Sequence, residues 1–152
     1  MSKDINLTIR KDNLEDFYII GDKIGDGHFA EVKLATCKKT GIQYAAKFII
    51  RKRQNMFGYV DPSAVGMTLN DIEREAKILA QLDNETIIKL FEVFHHKDSV
   101  VLILELVTGG ELFARVAECE RLSEEEASNF ISQILYGVDH IHNLGIVHLD
   151  LK

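Results

Sequence analysis

The chain of 152 residues has little of several things, and each shortage excludes a class. It holds one proline and ten glycines, so collagen-like and proline-rich architectures are excluded. Its two cysteines, Cys37 and Cys119, are too few for a disulfide framework and fit a reducing, intracellular setting. No window approaches the ~18 uncharged apolar residues of a membrane span. Met1–Asn6 has no apolar run of the kind a secretory signal needs, and a cytoplasmic location is expected. Basic charge is short overall, with a net of −6. It is also uneven: residues 1–60 carry 11 basic against 7 acidic side chains, and residues 61–152 carry 7 against 17. A general nucleic-acid binder would be basic, so neither nucleic acid nor membrane is an expected partner. Apolar residues at 46% are enough to bury a core.

The pattern along the chain is mixed. After a polar stretch over 1–16, Tyr18–Ile24 reads as a strand running into Gly25-Asp26-Gly27-His28-Phe29-Ala30. Glu31–Thr36 and Ile42–Ile50 read as two more strands. Residues 51–69 are irregular, with Gly58, Pro62 and Gly66 as breakers. A helix comes next, with Asn70 as N-cap and Glu73 completing a capping box. Its apolar stripe is Ile72, Ala76, Leu79 and Leu82. Strand-like runs are found at Ile87–Phe94 and Ser99–Leu106. Gly109-Gly110 breaks the chain, and a short helix is expected over Glu111–Ala117. A long helix is expected from Ser123, capped by Glu126 and ended by Gly145, with Ala127, Phe130, Ile131, Ile134, Val138 and Ile141 as its stripe. This amounts to an α+β chain opening on antiparallel hairpins.

Alone, the Gly25-x-Gly27 pair is weak evidence. A tight hairpin needing positive φ is the favoured reading of this motif alone. Because it opens a strand and not a helix, it is no dinucleotide fingerprint. A glycine loop between strands can instead offer backbone N–H groups to phosphates. Lys47 lies in a strand of Ala, Phe and Ile, where burial of an ammonium without a partner is costly. An edge strand with Lys47 in water is an equal reading of that residue alone. Glu75 changes the balance. It sits three residues after Ile72 and four before Leu79, inside the apolar stripe, so it faces inward as Lys47 does. Glu73 and Lys77 lie elsewhere on the helix and can pair in solvent. Two inward charges of opposite sign predict a partly buried ion pair that holds the lysine against an anion. His140 and His142, two apart on a helix, point in different directions and do not chelate a metal jointly; no metal site is expected from them or from His148.

Taken together, these residues resemble the eukaryotic-type protein kinases, and in detail the death-associated protein kinases of the calmodulin-dependent superfamily. The resemblance rests on the glycine loop, Gln43-Tyr44-Ala45-Ala46-Lys47-Phe48-Ile49, Asp71-Ile72-Glu73-Arg74-Glu75, Leu102–Val107, Gly109-Gly110-Glu111-Leu112-Phe113 and His148-Leu149-Asp150-Leu151-Lys152. It implies an N-terminal lobe of antiparallel sheet plus one helix over 17–104, preceded by a leader over 1–16. After it would come a hinge over 105–110 and the first helices of a C-terminal lobe over 111–152. It implies ATP as cofactor, covered by Ile24, Gly25, Asp26, Gly27, His28, Phe29, Ala30 and Val32. Val32 and Ala45 would sandwich the purine, Glu105 and Val107 would meet its edge, and Glu111 would face the ribose. Lys47 and Glu75 would position the phosphates, Asp150 would act as base, and Lys152 would neutralise charge on the moving group.

The chain also departs from the family pattern. Ala30 replaces the third glycine, and Gln54–Thr68 interrupts the basic stretch Arg51-Lys52-Arg53. No Asp-Phe-Gly occurs, so the Mg²⁺ ligands of the complete domain are absent from these residues. The expected function is therefore serine/threonine phosphorylation of protein substrates by the complete domain, with these residues inactive alone. The alternative is a non-catalytic nucleotide- or partner-binding short isoform. Calmodulin would bind only through segments outside these residues. The long helix is expected to leave part of its stripe uncovered.

Overall fold

The computed structural model describes residues 9–52, 57–96, 98–118 and 121–151. Cys119, Lys152, Arg53 and the Gln54–Met56 part of the interrupting segment lie outside the described residues. The elements in chain order are β1 (Ile9–Arg10), α1 (Leu14–Phe17), β2 (Tyr18–Gly27), β3 (Ala30–Cys37), β4 (Gln43–Ile50), α2 (Leu69–Gln81), β5 (Leu90–His95), β6 (Ser99–Leu104), α3 (Leu112–Glu118) and α4 (Glu124–Asn143). Two units emerge. The first takes residues 1–81 and 89–106, and the second takes 82–88 and 107–152.

The first unit is a six-stranded sheet in the order β1-β5-β6-β4-β3-β2. β2 through β6 pair antiparallel, as the hairpin signals imply. The sheet is nonetheless mixed, because β1 joins β5 in parallel, with Ile9 opposite Val93. Residues 9–16, which read as part of a leader, thus carry β1 and most of the single turn α1. They are tied down by side chains. The Arg10 guanidinium lies 3.8 Å over the Phe17 ring and donates to Glu92 at 2.7 Å. The Tyr18 hydroxyl donates to the same carboxylate at 2.6 Å. Burial and that bond raise the Tyr18 phenol above its ordinary range.

Strand alternation gives the sheet two apolar faces. Ala46, Phe94, Val101 and Ile103 point to one, with Leu14 and Tyr18. Ile49, Val93, Val100 and Leu102 point to the other, where α2 covers them with Ile72 and Ala76. The start of α2 differs from expectation. Thr68, not Asn70, caps it: its hydroxyl accepts from the Asp71 N–H at 3.2 Å and donates to the Asp71 carboxylate. Its carbonyl also takes the Ile72 N–H at 3.1 Å, so the first helical bond already forms at Thr68. Just before it, Gly66 holds φ +122° within 2.6 Å (as a built Cβ) of the Ile50 carbonyl, which lets Met67 bridge to Arg51. β5 starts three residues later than its apolar run, since residues 82–88 belong to the second unit.

In the second unit α4 begins as the sequence predicts. The Ser123 hydroxyl accepts from the Glu126 N–H at 3.2 Å, and the Glu126 carboxylate takes the Ser123 N–H at 3.1 Å. These bonds hold the Glu126 carboxyl below its usual range. The helix ends in a Schellman motif, with Gly145 at φ +73° and the Ile146 N–H bonded to the Ile141 carbonyl at 2.9 Å. Gly137 faces the 82–88 segment, where a Cβ would lie 2.9 Å from the Thr86 hydroxyl. The apolar stripe is covered only in part. Ile141 is buried and Ala127, Phe130 and Val138 are half-buried, but Ile131 is 55% exposed and Ile134 44%.

Candidate functional site

β4 lies between β3 and β6, so Lys47 stands on a central strand and the edge-strand reading fails. Val32 of β3 and Leu102 of β6 flank it directly, and Ala45 lies two residues away on the same face. That face is the one α2 covers. The Lys47 ammonium donates to Glu75 Oε1 at 2.8 Å. The lysine side chain is 28% exposed and the glutamate 40%. The pair is therefore half-sheltered and open on one side. Ile72 and Ala76, both buried, fix the rotation of α2 that aims Glu75 at the strand.

The glycine hairpin is the tip of β2 and β3. Gly25 pairs with Val32, Asp26 with Glu31, and Gly27 with Ala30, leaving His28-Phe29 as a two-residue turn. Neither glycine has a positive φ; Phe29 takes that conformation at φ 59°. The turn explanation for the glycines is thus wrong, and what they supply is absent side chains. A Cβ on Gly27 would press Ala30 at 3.3 Å, and one on Gly25 would meet Val32 at 3.8 Å. Ile24 and Phe29 are exposed on this hairpin. Lys23 bonds Asp26 at 2.6 Å and Lys33 bonds Glu31 at 3.1 Å, so its carboxylates are met by neighbouring ammoniums. A cavity of about 420 Å³ lined by Phe29, Phe48, Ile50 and Val65 opens on the opposite face, away from Lys47.

Glu105 lies just after β6. Its N–H donates to the Lys89 carbonyl at 2.9 Å, and its carboxylate accepts from the Lys89 N–H at 3.2 Å. The other expected site residues belong to the second unit. Val107 is exposed, and Glu111 is exposed with its carbonyl receiving the Arg115 N–H at 3.2 Å. The Asp150 N–H donates to His148 Nδ1 at 3.2 Å, beside Leu149 at φ 62°. Lys152 lies outside the described residues.

Ile24, the Gly25–Val32 hairpin, Ala45, Lys47, Glu75 and Glu105 thus share one unit. Val107, Glu111 and Asp150 share the other. The face bearing Val32, Ala45 and Lys47 fits a nucleotide: apolar side chains for a flat base, and a paired ammonium for an anion. Mg²⁺ finds no such fit, since no group of three or more His, Cys, Asp or Glu able to hold a metal occurs among the described residues. Two features escaped the sequence. Glu73 turns not to Lys77 but to His95, at 3.9 Å. The Cys37 thiol, which shows no partner in the sequence, is lowered from its ordinary value by the Thr40 hydroxyl and by backbone bonds of Thr40 and Lys39.

Residues 18–152 match the protein kinase domain family. Death-associated protein kinase 2 of Mus musculus is 50% identical over 145 residues, covering 95% of this chain and 38% of that protein. Death-associated protein kinase dapk-1 of Caenorhabditis elegans is 44% identical, covering 91% of the chain and 9% of its own length. Among solved structures, a twitchin kinase fragment of C. elegans with kinase and immunoglobulin domains superposes with a TM-score of 0.80. It is 31% identical and covers 96% of this chain and 30% of that one. The chain therefore spans under two fifths of the mouse relative it matches. With the ion pair on the central strand, the hairpin beside it and this match over nearly its whole length, the chain belongs to the protein kinase domain family.

Proposed function

We propose that this chain is the ATP-binding part of a serine/threonine protein kinase domain of the death-associated type. The observation that carries the reading is the 2.8 Å Lys47–Glu75 pair on the sheet face that also presents Val32 and Ala45. Glu75 keeps the ammonium pointed and charged, and Lys47 meets the α- and β-phosphates. The backbone N–H groups of the Gly25–Ala30 hairpin cover the phosphates, with Ile24, Asp26, His28 and Phe29 forming its body. Val32 and Ala45 hold the purine by apolar contact. Glu105 and Val107, on a hinge over 105–110, bond its edge through the backbone. Glu111 takes the ribose.

Bound ATP supplies the phosphoryl group. Asp150 orients a serine or threonine hydroxyl of a protein substrate and accepts its proton, and Lys152 neutralises charge on the moving group. Mg²⁺ enters no step derived from these residues. Without the Asp-Phe-Gly carboxylate a large electrostatic contribution is missing, so the 152 residues alone transfer no phosphate.

The test is ATP-dependent labelling of a basic serine peptide by the 152 residues and by the gene's full-length product. The reading expects none from the first and transfer from the second, abolished by Asp150→Ala. Transfer by the 152 residues, lost in Asp150→Ala, would overturn their inactivity. A folded full-length product without transfer would overturn the kinase assignment.

A further inference from the structure

α2 carries two acidic side chains with different partners. Glu75 reaches Lys47, while Glu73 faces His95 of β5. His95 lies two residues beyond Val93, on the α2 side of the sheet and on the same strand face. Its side chain is only 15% exposed. Its Nε2 is fully buried and has no hydrogen-bond partner. Glu73 Oε1, at 3.9 Å, is too far for a hydrogen bond and close enough to attract a charge. Among the described residues, the other titratable groups that act on the imidazole are Arg51 after β4, Lys11 after β1 and His96 on its own segment, and each opposes a positive charge there.

From this arrangement we propose that His95 is a pH-responsive positioning residue for α2. Neutral, it fills the space between β5 and the helix. Protonated, it places a charge in a buried site among like charges and loosens the helix that holds Glu75 against Lys47. Burial is the dominant influence on the imidazole and outweighs the attraction of Glu73, so its proton affinity in the docked state falls below the ordinary value. A histidine depressed in the docked state supports docking fully above the undocked value of about 6.5. That support declines as pH falls below it, and levels off below the docked value. Each unit of depression bounds the loss of docking at about tenfold. The consequence for phosphate positioning rests on Lys47 and Glu75 serving a nucleotide; the switch itself does not.

The experiment uses the whole chain and no nucleotide, so its failure is separate from failure of the kinase assignment. The His95 ring is titrated by NMR, and amide exchange of α2 is measured from pH 7.5 to 5 after correction for intrinsic rates. The expected result is a His95 midpoint below about 6.5 and a several-fold loss of α2 protection that develops between about 6.5 and that midpoint and levels off beneath it. In His95→Gln that loss disappears. In Glu73→Gln the midpoint drops further, because the one attractive group is gone. Should His95→Gln not fold, the wild-type titration and Glu73→Gln decide. A midpoint at or above 6.5, or α2 protection indifferent to pH, or the same loss in His95→Gln, would overturn the proposal.

Discussion

Glu75→Gln should cost this protein little stability, although it removes half of an ion pair at the heart of the site. Two unit charges 2.8 Å apart attract by about 1.5 kcal/mol at the dielectric of water. The pair is open to solvent on one side, with 28% of the lysine and 40% of the glutamate exposed. Ordering two long side chains and screening by salt reduce the net value, to about 0.5–1 kcal/mol. Glutamine retains a carbonyl that can accept from Lys47, so the substitution should fall at the low end. Ile72→Ala, one helical turn away, is the contrast. Ile72 is fully buried against Ile49, Val93, Val100 and Leu102. The loss of three carbons removes about 2.4 kcal/mol of transfer energy at ~0.8 per methylene, and the unfilled space adds to it, giving about 3–4 kcal/mol. At roughly 2–4 °C per kcal/mol, Glu75→Gln should lower the melting temperature by under about 4 °C and Ile72→Ala by about 6–16 °C. Thermal unfolding monitored by circular dichroism at 222 nm decides. If Glu75→Gln proved as damaging as Ile72→Ala, the pair would be a buried structural bridge, and the claim that it is kept for an anion would fail.

Two further outcomes are expected. Gly66→Ala forces a side chain into φ +122° with its Cβ 2.6 Å from the Ile50 carbonyl, so it should destabilise by about 1–3 kcal/mol or more and free the 57–67 segment to protease. Ser123→Ala should fray the start of α4, and in the wild type the capping contribution of Glu126 should be complete above its unfolded value of about 4.5 and vanish as pH falls through the lower folded value, read as helicity between pH 6 and 2; helicity unchanged by the substitution at neutral pH would contradict the cap.

Much of the site was legible because two periodicities point at it. Period two put Lys47 on a strand face with Ala45, and period 3.6 put Glu75 among Ile72, Ala76 and Leu79, so two charges stood where apolar side chains belong. The structure brings those two together and adds Val32 through the β3–β4 register. Other features carry no periodic signal. A two-residue strand such as Ile9–Arg10 is too short to alternate, and its place in the sheet depends on Arg10, Phe17 and Glu92 meeting across 82 residues. The sequence pattern places the cap at Asn70, two residues beyond the Thr68 that caps the helix. The Thr68 carbonyl, already bonded to Ile72, settles which is used. The glycines of the hairpin suggested positive φ, yet extended strand pairing continues through Gly27 and the strain passes to Phe29. His95 and Glu73 meet only because β5 runs beneath α2, a tertiary fact that neither segment encodes alone.

The claim that Lys47 is held ready for a nucleotide phosphate is tested most directly by calorimetric titration of ATP into the folded chain and into Lys47→Met. A hydrogen bond to a charged group contributes about 1.5–3 kcal/mol, so the substitution should weaken binding roughly 10- to 100-fold while leaving the fold intact. Saturable binding by the wild type with that loss in Lys47→Met is the predicted result. A well-folded wild type that binds no ATP, or equal affinity in Lys47→Met, would contradict it.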